Sequence, residues 1–547
     1  MKYLPLLCLG VFACSSTRSD PAPKKSTGAP VVVTIIVDQF AAWVASERLE
    51  TLPADGGFAR LRREGTYVRA IRYAHAATET ACGHAALFTG APPARSGVMS
   101  NEALRNGRVV STMADDDTRL VSTRGVSARA GASPKVLRVD GVADMFRAQY
   151  PDALVMGLSL KDRGAILPVG KSPKVAVWFD IETAELVTST YYGEALPAWA
   201  VDVSRTIPER LAQPWTPLDP AWLARHVLTP DDQDGEEPSM RAFPHDLIRQ
   251  APLGAAVRLS PQSDIMLVEL ALAALDAERH DGQPTLLSLS LSANDIIGHA
   301  FGPDAWEAWD ELLRLDGTLA RLFEGLDKRF GADGWAVALS ADHGVEPIPE
   351  VQPMRPECKS ASADRWDRPC RDLKRMSRQE IAQELTKTAE KVLGPGRWLH
   401  GFVGAFVALT DEGRAPGVRE RLVPALLTTL TAQPGVSSAF DVKTLPGTCP
   451  TGPGLDVLVC NAYPVDSEGD IMVVLARGAG FGDGSGATHG MPYTYDLTVP
   501  FLVRAPKAVS AGKVIEDELT FSTFTHTVAK LLNVAPPATA FPAAPLD

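Results

Sequence analysis

At 547 residues, 45% hydrophobic and 22% charged, the chain has ample material for a large core and the balance of a globular protein. A net charge of −12 leaves no basic stripe to neutralise a phosphate backbone, which excludes nucleic acid as the expected partner. A small phosphorylated molecule is not excluded, because a few local cations suffice to hold one.

Residues 1–30 read as a leader and tether. Met1-Lys2 precedes an apolar run over 3–13, then Cys14-Ser15-Ser16 and a Pro/Lys/Ser-rich stretch to about Pro30. The run is too short for a permanent membrane helix. Cys14, directly after Val11-Phe12-Ala13, resembles the cysteine of a bacterial lipobox, with Phe12 atypical at its place. A lipid on Cys14 is the expectation and a plain secretory signal the alternative. Both imply export, to the periplasm or the outer membrane, where disulfides persist.

Residues 31–547 read as one catalytic domain of α/β class. The β-branched run Val31–Val37 has the continuous apolar character of a parallel strand buried on both faces, and it ends in Asp38. A helix over Phe58–Glu64 and a strand over Tyr67–Tyr73 follow. Next come a helix opening at Thr80, a helix over Val142–Gln149, and a strand over Ala153–Leu160 running into Lys161-Asp162-Arg163. Residues 168–258, rich in Pro, Trp and Tyr, break the rhythm and are expected to form an inserted cap beside the site. The alternation resumes with the helix Asp264–Ala277, the strand Pro284–Ser290, helical stretches through Ala305–Phe330, and the strand Trp335–Leu339 before Asp342-His343. A second insertion spans about 345–480. The core is expected to close with a strand over Ile471–Ala476, the His489 loop, a strand over Leu497–Val503 and a helix near Thr523–Leu532.

Five cysteines follow the leader. Cys358 and Cys370 flank a polar loop, and Cys449 and Cys460 a Pro/Gly-rich one. Both spacings suit local disulfides worth about 3 kcal/mol each, although other pairings stay open from spacing alone. Cys82 is left over and is expected to be a buried free thiol.

The chemistry-bearing residues share one property: each follows an expected strand or opens an expected helix. Ligands of open α/β sheets bind at the carboxyl ends of the strands. Asp38 and Asp342-His343 end strands, and they meet if those strands are neighbours. Asp295 and His299, at i and i+4, lie on one face of a helical turn. His489 sits in a Gly-rich loop. Three carboxylates and three imidazoles suit zinc, and are enough for two ions. Two metals ~3.5–4 Å apart stabilise both the attacking and the leaving oxygen of a phosphoryl displacement. Thr80 opens its helix, where a hydroxyl faces unpaired N–H groups and where an oxyanion is welcome. The bland alternative is that Thr78 or Thr80 merely caps that helix.

This ordered set — Asp, Thr, Asp-x-x-x-His, Asp-His and His — resembles the alkaline phosphatase superfamily over essentially the whole chain from Val31 to about Leu532. The resemblance implies an alkaline-phosphatase-like core, a mostly parallel sheet flanked by helices with inserted caps. It implies one zinc on Asp295, His299 and His489, and a second on Asp38, Asp342, His343 and the Thr80 oxygen. It makes Thr80, in Thr80-Ala81-Cys82-Gly83-His84, the nucleophile, and gives His84 a supporting role. Asn101 resembles the Asn that hydrogen-bonds a phosphoryl oxygen in Thr-nucleophile members. Lys161-Asp162-Arg163 resembles the Lys-x-Arg motif of the phosphate-irrepressible alkaline phosphatases, which are monoesterases. Two cations at i and i+2 suit the higher charge of a monoester dianion. The expected reaction is hydrolysis of small phosphate monoesters through a phospho-threonine. Two alternatives stay open: a phosphodiesterase of the nucleotide pyrophosphatase type, and an inactive binding protein on this fold. A sulfatase finds no Cys/Ser-x-Pro-x-Arg sequence, and the leader speaks against a cytosolic phosphomutase.

Overall fold

The computed structural model describes residues 30–359, 364–370, 374–482 and 484–547. The expected leader and Cys14 lie outside them. At the centre are parallel strands whose apolar-rich, almost wholly buried sequences need no polar face: β1 (Val31–Val37), β3 (Leu154–Ser159), β4 (Val175–Asp180), β5 (Thr285–Leu291) and β6 (Ala336–Ser340). With β2 (Thr66–Arg72) and β7 (Thr498–Arg504), the run reads β2-β7-β6-β1-β5-β3-β4 within a 12-stranded sheet. Pairing is parallel from β6 to β4, and β7 is antiparallel to both its neighbours.

Register explains why a site forms. Val37 pairs with Leu291, Ile36 with Ser340, and Ser290 with Ser159. Four neighbouring strands therefore end level with one another, and the residues that follow them converge. The helices used below are α1 (Thr80–Thr89), α2 (Asp162–Ile166), α3 (Leu253–Arg258), α4 (Gln262–Glu278), α5 (Ala293–Phe301) and α6 (Trp306–Phe330).

The structure redraws both insertions. The first expected cap begins with β4 and the strand Glu185–Ser189, which belong to the central sheet, so only its later part is irregular. The hairpin Ala114–Ser122 and Gly125–Ala132, which extends that margin, is polar and half-exposed and carries little apolar signal. Ile471–Leu475 does not close the central sheet. It joins Leu399–Val403, Phe406–Leu409 and Val436–Asp441 in a separate four-stranded sheet.

The two central strands of that small sheet, Phe406–Leu409 and Ile471–Leu475, are buried on both faces, and their alternation shows what covers each. Val407, Leu409, Ile471, Val473 and Leu475 pack with Leu385, Leu422 and Leu426 in one cluster. Phe406, Ala408, Met472 and Val474 pack with Ala76, Ala77 and Cys82, the approach to α1. The second insertion is thus a lobe with its own core, seated against the segment that carries Thr80. Cys358–Cys370 and Cys449–Cys460 are disulfides, as the spacing suggests, and Cys82 is a buried free thiol. No helix among the described residues is long and apolar enough to cross a membrane.

Candidate active site

Three imidazoles are oriented in the same way. His299 Nδ1 lies 2.9 Å from Ala487 O, His343 Nδ1 3.0 Å from Gly344 O, and His489 Nδ1 2.7 Å from Thr78 O. A carbonyl only accepts, so each Nδ1 carries the proton and each Nε2 presents a lone pair. All three Nε2 atoms face carboxylates: His299 is 3.2 Å and His489 3.6 Å from Asp295 Oδ1, and His343 is 3.5 Å from Asp38 Oδ1. The His343 and His489 rings stack at 3.6 Å between centroids.

Two compact donor groups result, Asp295-His299-His489 and Asp38-Asp295-His343. Asp342 stands beside the second rather than in it. Its Oδ1 accepts from Gln39 N at 3.2 Å and His343 N at 3.1 Å, and its Oδ2 lies 3.7 Å from His343 Nε2. Asp38 Oδ1, Asp342 Oδ2 and His343 Nε2 are buried with no hydrogen-bond partner. Orphaned acceptors at such depth are costly unless a cation takes them. The donor set fits divalent metal, with hard carboxylate and borderline imidazole ligands in the mixture zinc prefers.

Lys161 sits among the carboxylates, its Nζ 2.6 Å from both Asp38 Oδ2 and Asp295 Oδ2 and 3.4 Å from Thr80 Oγ1. Burial, then the charges of Asp295 and Asp342, push the Asp38 carboxyl up to about 6. Burial acts the same way on Asp295, but Lys161 and His299 outweigh it and hold that group well below the usual carboxylate range.

Thr80 is the first residue of α1 and is buried. Neither Thr80 nor Thr78 caps the helix, so the bland expectation fails. The cap residue is Glu79, and Asn101 does the capping from outside, its Oδ1 accepting from Ala81 N at 2.8 Å. Asn101 is fixed in turn by Glu79, whose Oε2 accepts from Ser100 Oγ at 2.9 Å and Asn101 N at 2.8 Å. The Asn101 amide nitrogen is left for a ligand beside Thr80. Gly83 has a plain steric reason, since a Cβ there would stand 1.9 Å from Asp342 O. His84 lies between α1 and the strand ends, Nδ1 2.8 Å from Thr80 O and 3.1 Å from Asp342 Oδ2, and Nε2 2.9 Å from Ser290 Oγ. Arg163 is not brought to Thr80. Its ion pair is with its own neighbour Asp162, at 3.6 Å, and its Nε is buried without a partner.

Several contributors carry no motif. Gln39, at φ 66°, donates from Nε2 to Asp295 Oδ1 at 2.9 Å, tying the end of β1 to α5. A non-glycine residue in that left-handed region is a strained choice that clusters at functional sites. Asp264 Oδ1 accepts from Ser292 N at 3.1 Å and Ala293 N at 3.3 Å, seating the start of α5. Asp496 Oδ2 accepts from Gly490 N at 3.0 Å and Met491 N at 2.9 Å, fixing the His489 loop. Short polar side chains bonding to loop backbone leave no pattern a single sequence displays; only the positive φ of Gln39 marks a position, and that is a structural observation.

A cleft of about 330 Å³ opens above His299 and His489, walled by Glu79, Arg378, Gly404 and Phe481. The segment around His489 supplies most of that wall and the second insertion adds Arg378, Gly404 and Ala405, where the first had been expected to control access.

Residues 32–410 match the family described as type I phosphodiesterase / nucleotide pyrophosphatase. The chain belongs to that family. Among curated members of similar sequence, the alkaline phosphatase PhoV of Synechococcus elongatus is 29% identical over 560 aligned positions, covering 98% of each chain. The alkaline phosphatase PafA of Elizabethkingia meningoseptica is 33% identical over 357, covering 62% of this chain and 63% of PafA. The crystal structure of wild-type PafA superposes with a TM-score of 0.79 at 24% identity, covering 94% of this chain and 98% of that one. The alkaline-phosphatase-like α/β fold is therefore established for this family member. The murine ectonucleotide pyrophosphatase/phosphodiesterase 5 structure follows at a TM-score of 0.53 and 12% identity.

Proposed function

We propose that the protein is an exported, zinc-dependent alkaline phosphatase that hydrolyses small phosphate monoesters through a phospho-threonine on Thr80. One observation carries the reading: Thr80 Oγ1, Lys161 Nζ and two carboxylate–imidazole groups converge at the level ends of four parallel strands. The phosphatase names of the similar proteins support the reaction class.

Asp295, His299 and His489 would hold one zinc, and Asp38, Asp342, His343 and the Thr80 oxygen the other. Bound zinc supplies positive charge that favours the ionised Thr80 oxygen and the departing alkoxide. The Thr80 hydroxyl gives up its proton to solvent water, its oxygen bonds to phosphorus as the bond to the leaving oxygen breaks, and the departing alkoxide takes up a proton from water. Water then attacks phosphorus, the Thr80–phosphorus bond breaks, and inorganic phosphate leaves with the hydroxyl restored. Lys161 and Asn101 hold non-bridging oxygens throughout, and Arg163 joins them by reaching forward from α2. Cys14 carries the membrane-anchoring lipid in this reading, and mass spectrometry of the mature N-terminus tests that part.

The family description favours a second reading, phosphodiester hydrolysis on the same site. Initial rates on a chromogenic phosphate monoester, its methyl diester and its sulfate, with chelator and with added zinc, separate the two. A monoester preference of several decades that chelation abolishes is the expected result. Diester turnover equal to or above monoester turnover would move the protein to the second reading, and no metal-dependent turnover would leave a binding protein.

A further inference from the structure

Helix α3, the last part of the first insertion, lies between two points fixed to the floor of the site, one near its own start and one in α4. Near its start Gly254 lies against the residue that follows β4, so closely that a Cβ would stand 1.9 Å from Ile181 O. Just beyond its end, α4 is tied by Asp264 to Ser292 and Ala293, directly after β5. In the sheet β3 lies between β4 and β5. A helix running from the end of β4 to the end of β5 must cross the end of β3, where Lys161-Asp162-Arg163 emerges. Its last residue is Arg258, near enough to that segment for the Arg163 and Asp162 charges to act on it.

The state of Arg258 is unusual for a largely covered cation. Its Nε is buried with no hydrogen-bond partner, and among the described residues none forms an ion pair with its guanidinium. Arg163 Nε is likewise buried without a hydrogen-bond partner, while its Nη1 lies 3.6 Å from Asp162 Oδ1. The carboxylate of Asp162 is already shared: Oδ2 accepts from Ser111 Oγ at 2.6 Å and Oδ1 from Arg163 N at 2.7 Å. Burial and then the Arg163 charge press the Arg258 guanidinium below its ordinary range, while Asp295 and Asp38 act in the opposite direction. Each of these charges senses Arg258 from the metal-ligand floor or from the motif itself. Two arginines whose Nε–H donors are buried and unused, with one carboxylate to answer both charges, are costly as they stand. A dianion that accepts from both removes that cost, and guanidinium donors match phosphoryl oxygens in geometry.

We propose that Arg258 pairs with Arg163 as a two-arginine clamp on the non-bridging oxygens of a phosphate monoester dianion, making the first insertion a determinant of monoester over diester specificity. The inference rests on the monoesterase reading. A diester has lost one of the charged oxygens the clamp engages, so removing Arg258 costs the monoester more.

The test compares the zinc-loaded full-length enzyme with Arg258→Ala, Arg258→Lys, Arg163→Ala and the double variant. It measures kcat/KM on a chromogenic monoester and its methyl diester, and inhibition by inorganic phosphate. A lost hydrogen-bonded charge contact predicts a fall of roughly 10- to 100-fold in monoester kcat/KM for Arg258→Ala. The monoester-to-diester ratio falls at least tenfold, inhibition by phosphate weakens in parallel, and lysine restores part of the loss. The double variant loses less than the product of the single losses, because the two arginines share one ligand. If Arg258→Ala does not fold, Arg258→Gln keeps the packing of the stem and reads the same ratio. Equal losses on both substrates, or unchanged phosphate inhibition, overturn the clamp while leaving an active wild type a monoesterase. A wild type without metal-dependent monoester turnover overturns both.

Discussion

The two donor groups are built from the same residue types, yet they face different surroundings. Asp38 and His343 have no exposed side-chain surface, and Lys161 lies against Asp38. His299 is 40% exposed in its side chain and stands at the floor of the open cleft. Asp295 belongs to both groups and is the hinge of the comparison. A sealed group suits holding the nucleophile dry, where charge acts strongly. An open one suits a leaving group that must depart and a water that must enter.

The largest effect expected is from Thr80→Ala, which removes the proposed nucleophile while sparing both groups. Loss of a nucleophile typically costs on the order of 10⁴–10⁶ in kcat. Zinc content by mass spectrometry should stay near wild type, because Thr80 is one ligand among several. Retained turnover would break the assignment of the sealed side as the nucleophile's side.

Lys161→Ala comes next. It removes the cation that lies 2.6 Å from two buried carboxylates. Breaking such a buried arrangement leaves uncompensated charge, typically about 3–5 kcal/mol. Activity on a monoester should fall roughly 10²–10³-fold, as for lost transition-state donors. The metal-free protein should suffer more in stability than the zinc-loaded one, so melting curves with and without chelator should separate further than in wild type. An unchanged separation would show that Lys161 does not offset the carboxylates.

Replacing His343 and His299 by alanine tests the asymmetry itself. His343→Ala opens a cavity in a packed, stacked site and should lower the melting temperature even without metal. His299→Ala, at the cleft, should weaken zinc binding while leaving the metal-free melting temperature near wild type. Equal destabilisation by the two would erase the distinction.

Much of this was legible because strand ends carry it. Asp38, Asp342 and His343 follow apolar runs, Asp295 and His299 share a helical face, and register alone brings them together. The disulfides were readable from local spacing. The second insertion's sheet was not, because Ile471–Leu475 is as apolar as a core strand and its partner choice depends on chain lying far off in sequence. Asp264, Asp496 and Gln39 escaped for a related reason, since each acts on backbone or side chains brought near only by folding. Asp264→Asn would sharpen that lesson. It should weaken zinc binding at Asp295 and His299 about 10- to 100-fold, as loss of support behind ligands does, with Thr80 itself untouched.

The smallest effect lies in the first insertion, away from both groups. Glu236 is 2% exposed and its carboxyl is pushed up to about 9, first by burial and then by Glu307, with Asp231 adding to the rise and Arg241 opposing it. Its ordinary value is 4.5, so between pH 4.5 and 9 the folded chain binds a proton that the unfolded chain has released. The stability held through this group is complete below about pH 4.5 and declines as pH rises toward 9. Glu236→Gln has no proton to lose and should flatten that decline. In thermal unfolding of the zinc-loaded protein, the variant should gain on wild type as pH rises from 5 to 8.5, by a few degrees at most. A difference that stays constant across that range would mean Glu236 keeps no proton of its own, and would return the first insertion to a role of shape and of delivering Arg258.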